Sequence, residues 1–142
     1  MSEKVLLVDD EKDFLEIMAQ RMEARGFEIT TAQSADQALS IIEKKPFDAI
    51  IMDFQMPGMD GMEALKAIKA KSPELQIILL TGYATVEKTV EAIKAGASDF
   101  LEKPADIEVL SDKIKKATAD KNLHVKKQAE ERVNDILQRF GG

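Results

Sequence analysis

Short runs rich in Val, Ile, Leu and other β-formers recur along the chain, separated by longer stretches in which apolar residues return every three or four positions. The runs predict strands at about 4–8, 28–31, 48–53, 76–81 and 98–102. The stretches between them predict helices. Phe14, Ile17, Met18 and Met22 form the stripe of the first helix. Ala35, Ala38, Leu39 and Ile42 mark the second, which Ser34 and Gln37 open as a capping box. Asp60 and Glu63 repeat that spacing before the third. Val86, Val90 and Ile93 mark the fourth, with Gly96 where a glycine stops a helix. Pro104 and Asp106 start the fifth, whose Ile107, Leu110, Ile114 and Ala117 face inward. Strands alternating with helices argue for an α/β fold: a doubly wound, five-stranded parallel sheet with five helices.

Beyond Ala117 the polar Asp120-Lys121-Asn122 can interrupt the fifth helix, yet Val125, Ala129, Val133, Ile136 and Phe140 resume an apolar stripe. The expected division is residues 1–118 as one domain and 119–142 as a helical C-terminal extension, either continuous with the fifth helix or separate. A continuous helix would add about 30 Å. Such an amphipathic arm suits dimerisation or docking.

Composition narrows the chemistry. With no cysteine among 142 residues, disulfides, thiolate catalysis and Cys-based metal sites are excluded. The lack of cysteine and of a secretion-type segment points to the cytoplasm, and no apolar run approaches the roughly 20 residues of a membrane span. Residues 1–120 carry 15 Lys/Arg against 23 Asp/Glu, so this part should repel nucleic acid.

The acids at the strand ends carry the chemistry. Asp53 closes Ala49-Ile50-Ile51-Met52, and Asp9-Asp10 close Val5-Leu6-Leu7-Val8. In a doubly wound sheet these strand ends form the ligand-binding rim. Two unit charges about 4 Å apart repel by roughly 4 kcal/mol at an effective dielectric near 20. A divalent cation relieves this, and an oxygen-only ligand set with room for phosphate favours Mg²⁺. Thr81 after the fourth strand offers a hydroxyl, and Lys103 after the fifth offers an ammonium. With the cation, both suit a phosphoryl group on Asp53, the nucleophile that would form an acyl phosphate. Each residue alone is commonplace; four strand ends supplying the four groups together are not.

These residues carry a family resemblance. The motifs Val8-Asp9-Asp10-Glu11, Asp53-Phe54-Gln55-Met56-Pro57-Gly58-Met59-Asp60-Gly61, Thr81-Gly82 and Lys103-Pro104 make the chain resemble the receiver domain of bacterial two-component response regulators, over roughly residues 3–118. The resemblance implies a flavodoxin-like strand order, 2-1-3-4-5, for which the chemotaxis receiver is a known example. It also implies that Asp53 is the phosphoacceptor, that Asp10, Asp53 and the Gln55 backbone carbonyl bind Mg²⁺, and that Asp9 contributes through water. Lys103 would contact the phosphoryl group, Thr81 would move toward it, and Phe100 would be the switch aromatic. The bond before Pro104 would be cis. Gln55 and Tyr83 would tune how easily water reaches the acyl phosphate.

The expected function is a phosphorylation-activated switch, fed by a sensor histidine kinase or a histidine phosphotransfer protein. Its chain assists its own phosphotransfer and dephosphorylation and is not otherwise an enzyme. A homodimer through the fourth-helix/fifth-helix face or the C-terminal helix is expected, without nucleic-acid contact or membrane insertion. Residues 119–142 are too short for a helix-turn-helix module. An N-terminal receiver fragment of a larger transcription regulator would look the same. An Mg²⁺-dependent aspartyl phosphatase would carry a second acid where Gln55 stands, and a flavodoxin would lack the repelling acids at 9–11.

Overall fold

The structure, a computed structural model, describes residues 2–56, 59–82 and 85–140. Five parallel strands, β1 (Lys4–Val8), β2 (Glu28–Ala32), β3 (Ala49–Asp53), β4 (Gln76–Thr81) and β5 (Asp99–Glu102), form one sheet in the order β2-β1-β3-β4-β5. The helices are α1 (Lys12–Glu23), α2 (Ala35–Lys44), α3 (Gly61–Lys71), α4 (Val86–Lys94) and α5 (Ile107–Phe140). This is the doubly wound α/β fold that the alternating pattern predicts, in the flavodoxin-like strand order that the family resemblance implies. A small antiparallel ladder joins Gln55–Met56 to Met59–Asp60.

The central strands are apolar at nearly every position because helices cover both faces. Leu6, Val8, Ile50, Met52, Ile77 and Leu79 point to the side occupied by α2, α3 and α4. Val5, Leu7, Ala49, Ile51, Ile78 and Leu80 point to the side of α1 and α5. Strand parity therefore decides which layer each side chain meets. The same parity continues past the strand ends.

Local chemistry sets the helix ends. The Ser34 hydroxyl accepts from Gln37 N at 3.1 Å, while Gln37 Oε1 accepts from Gln33 N, one residue earlier than a standard capping box. Asp60 caps α3 through Met62 N. Asp106 Oδ1 accepts from Glu108 N at 2.8 Å just before α5. Gly96 has φ 114°, and Ala97 N reaches back to Ala92 O, so the glycine ends α4 as a left-handed cap.

Two helical stripes differ from expectation. On α1, Met18 and Met22 are buried as expected, but Ile17 is 53% exposed and Leu15 and Ala19 complete the buried face. On α4, Val86, Val90 and Ile93 all face solvent and only Ala92 is buried. Periodicity identifies an apolar face without saying whether the fold covers it. Ile114 and Leu110 on α5 are fully buried, as expected, with Ala117 nearly so.

Helix α5 continues without a break across Asp120-Lys121-Asn122 to Phe140. No Gly or Pro falls within it, and Asp, Lys and Asn each cost only a few tenths of a kcal/mol in a helix interior. Its 34 residues span about 51 Å at 1.5 Å per residue. Val133, Ile136 and Leu137 near its end are exposed; the side chains of Val125, Ala129 and Phe140 lie outside the described set. No helix of the described residues is long and apolar enough to cross a membrane.

Candidate functional site

Register brings the predicted residues to one edge of the sheet. Val8 is level with Met52, so the next residues, Asp9 and Asp53, lie side by side at the carboxyl ends of the neighbouring strands β1 and β3. Thr81 is level with Glu102, so Lys103 follows at the same rim. By parity Asp9, Asp53 and Lys103 belong to the α1/α5 side, with Leu7, Ile51 and Leu101. Thr81 has the opposite parity, shared with Leu79 and Phe100. The rim thus has a charged side and a side that carries Thr81 and Phe100.

On the charged side, Lys103 Nζ donates to Asp9 Oδ2 at 2.8 Å and to Asp53 Oδ2 at 3.4 Å. The other oxygen of each acid is held by backbone: Asp9 Oδ1 accepts from Glu11 N and Asp53 Oδ1 from Gln55 N, both at 2.9 Å. Each carboxylate is fixed by the turn that follows its own strand, and one ammonium bridges the two. Asp9 and Asp53 are buried while Asp10 is exposed. One oxygen of each of the three acids lies within 4.8 Å of the others.

These surroundings perturb both sides of the ion pair. Burial is the main influence on Asp53 and lifts its pKa above the usual carboxylate value, with Asp9 adding to the rise. The Gln55 amide and Lys103 pull it down without cancelling the rise. Burial lowers the pKa of Lys103, but its contacts with Asp9 and Asp53 together outweigh that and hold the ammonium above its usual value. Lys103 is therefore a fixed positive charge at neutral pH.

The donor set fits Mg²⁺. Oxygen is the only ligand type that these acids offer, and one oxygen of each already lies within 4.8 Å of the others, which suits a small hard cation that keeps part of its water. Three carboxylates gathered beside one lysine, which pairs with Asp9 and Asp53, also leave net negative charge for a cation to neutralise.

On the other side, Thr81 is fully buried and its carbonyl accepts from Lys103 N at 2.7 Å. The Phe100 and Phe54 rings meet at 6.0 Å between centroids, tilted by 60°. Phe54 is pressed from behind by Gly61, where an added Cβ would lie 2.2 Å from the Phe54 carbonyl oxygen. The Lys103–Pro104 peptide is cis. Gln55 is exposed at the rim, whereas Tyr83 lies outside the described residues. Sequence reasoning passed over two participants, Phe54 and Phe14. Lys103 Nζ sits 4.4 Å from the Phe14 ring centroid, a contact that strand parity and one turn of α1 could have suggested.

Comparison with known proteins bears on the same residues. The transcriptional regulatory protein ZraR of Salmonella typhimurium is 38% identical over 115 residues, covering 81% of this chain and 26% of the relative. The chain thus spans about a quarter of the length of that curated relative. A CheY-like receiver domain protein from Methanospirillum hungatei superposes with a TM-score of 0.82 at 31% identity, covering 87% of this chain and 99% of the other. The beryllofluoride-activated NtrC4 receiver domain dimer gives 0.78 at 36%, covering 83% and 98%. The family model described as the response regulator receiver domain matches residues 5–115. A match that runs from β1 well into α5, on a sheet that superposes on solved receivers, shows that this chain belongs to the response regulator receiver domain family of two-component signalling.

Proposed function

We propose that Asp53 accepts a phosphoryl group from a phosphohistidine on a sensor histidine kinase or a histidine phosphotransfer protein. Receiver domains serve signalling as phosphoacceptors and not as turnover enzymes. An Asp53 carboxylate oxygen attacks phosphorus, and an O–P bond forms as the P–N bond to the donor imidazole breaks. The electron pair returns to the imidazole nitrogen, and Asp53 carries an acyl phosphate.

The residues divide this work. Asp9, Asp10, Asp53 and the Gln55 backbone carbonyl would hold Mg²⁺, which when bound supplies positive charge to the phosphoryl oxygens. Lys103 neutralises charge on those oxygens beside Asp53. Thr81 offers its hydroxyl and, by moving, lets Phe100 repack against Phe54, which changes the face formed by α4, β5 and α5. Gln55 and Tyr83 govern the approach of water and hence how long the acyl phosphate lasts. The observation that carries the reading is the single Lys103 ammonium bridging Asp9 and Asp53 at three separate strand ends.

Residues 1–118 form the receiver and 119–142 a helical extension. A homodimer through the α4/α5 face or the α5 extension is supported by the exposed Val86, Val90 and Ile93 and by Val133, Ile136 and Leu137. That the NtrC4 receiver is described as an activated dimer favours it too. The reading places the protein in the cytoplasm, without nucleic-acid contacts of its own. A second reading, a receiver belonging to a larger transcription regulator, is favoured by the 26% of ZraR that the chain covers.

Incubation with Mg²⁺ and a small acyl-phosphate donor, followed by intact mass, tests this. One hydroxylamine-labile phosphoryl group, absent in Asp53→Asn, is expected. No adduct on the wild-type chain would overturn the reading.

A further inference from the structure

Lys103 has a third partner outside the carboxylate set. Its Nζ lies 4.4 Å from the Phe14 ring centroid, while Asp9 Oδ2 and Asp53 Oδ2 approach at 2.8 and 3.4 Å. A cation within about 6 Å of a ring centroid is drawn to the negative face of the ring. Phe14 sits in the first turn of α1, half-buried and packed against the core shared by α1 and α5. Its place is set by the helix and not by the site.

The three partners differ in what happens to them during the reaction. Both carboxylates are groups that a cation or a phosphoryl group would engage, so their hold on the ammonium changes as the site fills. The ring undergoes no such change. Lysine is a point charge on a flexible four-carbon stem, and it needs a contact that persists if it is to stay aimed at Asp53.

We propose that Phe14 is a positioning residue for phosphoryl transfer: its ring face holds the Lys103 ammonium over the rim beside Asp53 while the carboxylates are otherwise engaged. This rests on Lys103 acting on the phosphoryl group of Asp53. A purely structural Phe14 would serve α1 packing equally well as Leu, which has no π face.

The test is the initial rate of adduct formation by intact mass, with Mg²⁺ and a small acyl-phosphate donor that presents no protein surface to α1. Phe14→Leu is expected to slow the rate about fivefold, equivalent to about 1 kcal/mol where 1.36 kcal/mol is tenfold. Phe14→Tyr, which keeps the ring, should restore it to within about twofold. In a Lys103→Met background, Phe14→Leu should cause no further loss, since coupled residues do not add. Equal rates for wild type and Phe14→Leu, or the same loss with and without Lys103, would overturn the positioning role and leave the phosphoacceptor reading standing. A wild-type chain that takes no label overturns both.

Discussion

Replacing Asp53 with Asn should stabilise the cation-free protein, because Asp53 is an ionised carboxylate in a buried place beside two other acids, a cost that Lys103 only partly offsets. The Asp9, Asp10 and Asp53 oxygens lie within 4.8 Å of one another. At that distance each pair repels by about 3.5 kcal/mol at an effective dielectric near 20, or about 7 kcal/mol for the two pairs that include Asp53. Lys103 at 3.4 Å returns about 5 kcal/mol on the same scale. The balance is about 2 kcal/mol against ionised Asp53, which solvent at the open rim screens to about 1 kcal/mol. Asn removes that charge and keeps an oxygen to accept from Gln55 N. In chelator at pH 7, Asp53→Asn should therefore melt about 2–4 °C above wild type.

The pH dependence follows from the direction of the Asp53 shift. Burial raises its folded pKa above the unfolded value, so wild type carries its full penalty only above the folded pKa. As pH falls through that value the carboxyl protonates, and the advantage of Asn fades. Saturating Mg²⁺ should reverse the order, since free cation at about tenfold its dissociation constant adds about 1.4 kcal/mol to the chain that binds it and Asn is the poorer ligand. Differential scanning calorimetry across pH, with and without Mg²⁺, reads all three effects. A lower melting temperature for Asp53→Asn in chelator, or a gain that ignores pH, would refute the charge balance.

Other expectations follow from single contacts. Gly61→Ala drives a Cβ to 2.2 Å from the Phe54 carbonyl oxygen and 2.9 Å from its ring, and should cost about 1–3 kcal/mol in urea unfolding; an unchanged midpoint would contradict the close approach. Thr85→Ala removes the hydroxyl that accepts from Lys88 N at the start of α4, about 1 kcal/mol of capping. Amide exchange should quicken in the first turn of α4 and stay unchanged in α3. Removing residues 120–142 deletes the exposed Val133, Ile136 and Leu137 but keeps Leu110, Ile114 and Ala117 in the core. Melting should then move by no more than about 2 °C, as for surface changes, and a larger drop would show the extension packing on the domain.

The sheet was legible because its strands are buried on both faces, so that Val5 to Val8 and Ile77 to Leu80 read as unbroken apolar runs. The acids and Lys103 were legible because strand ends in such a sheet meet at one rim. Two things were hidden from one-dimensional pattern. Ile17 and the Val86-Val90-Ile93 stripe have helical period, yet they stay exposed and Ala92 is the one buried residue of α4, so period alone misplaces them in the core. Phe14 reads as an ordinary core residue until Lys103, 89 positions away, extends across its face. The two sides of the rim also depend on register, which places Asp9 beside Asp53 and sets Thr81 and Phe100 on the other parity.

The central claim is that Asp53 itself receives the phosphoryl group. After labelling with a small acyl-phosphate donor and Mg²⁺, borohydride reduction converts a phosphorylated aspartate to homoserine, and peptide mass spectrometry locates it. Homoserine at position 53, with Asp9 and Asp10 unmodified, is the predicted result. Homoserine at position 9 or 10, or a label that survives hydroxylamine and resists reduction, would contradict it.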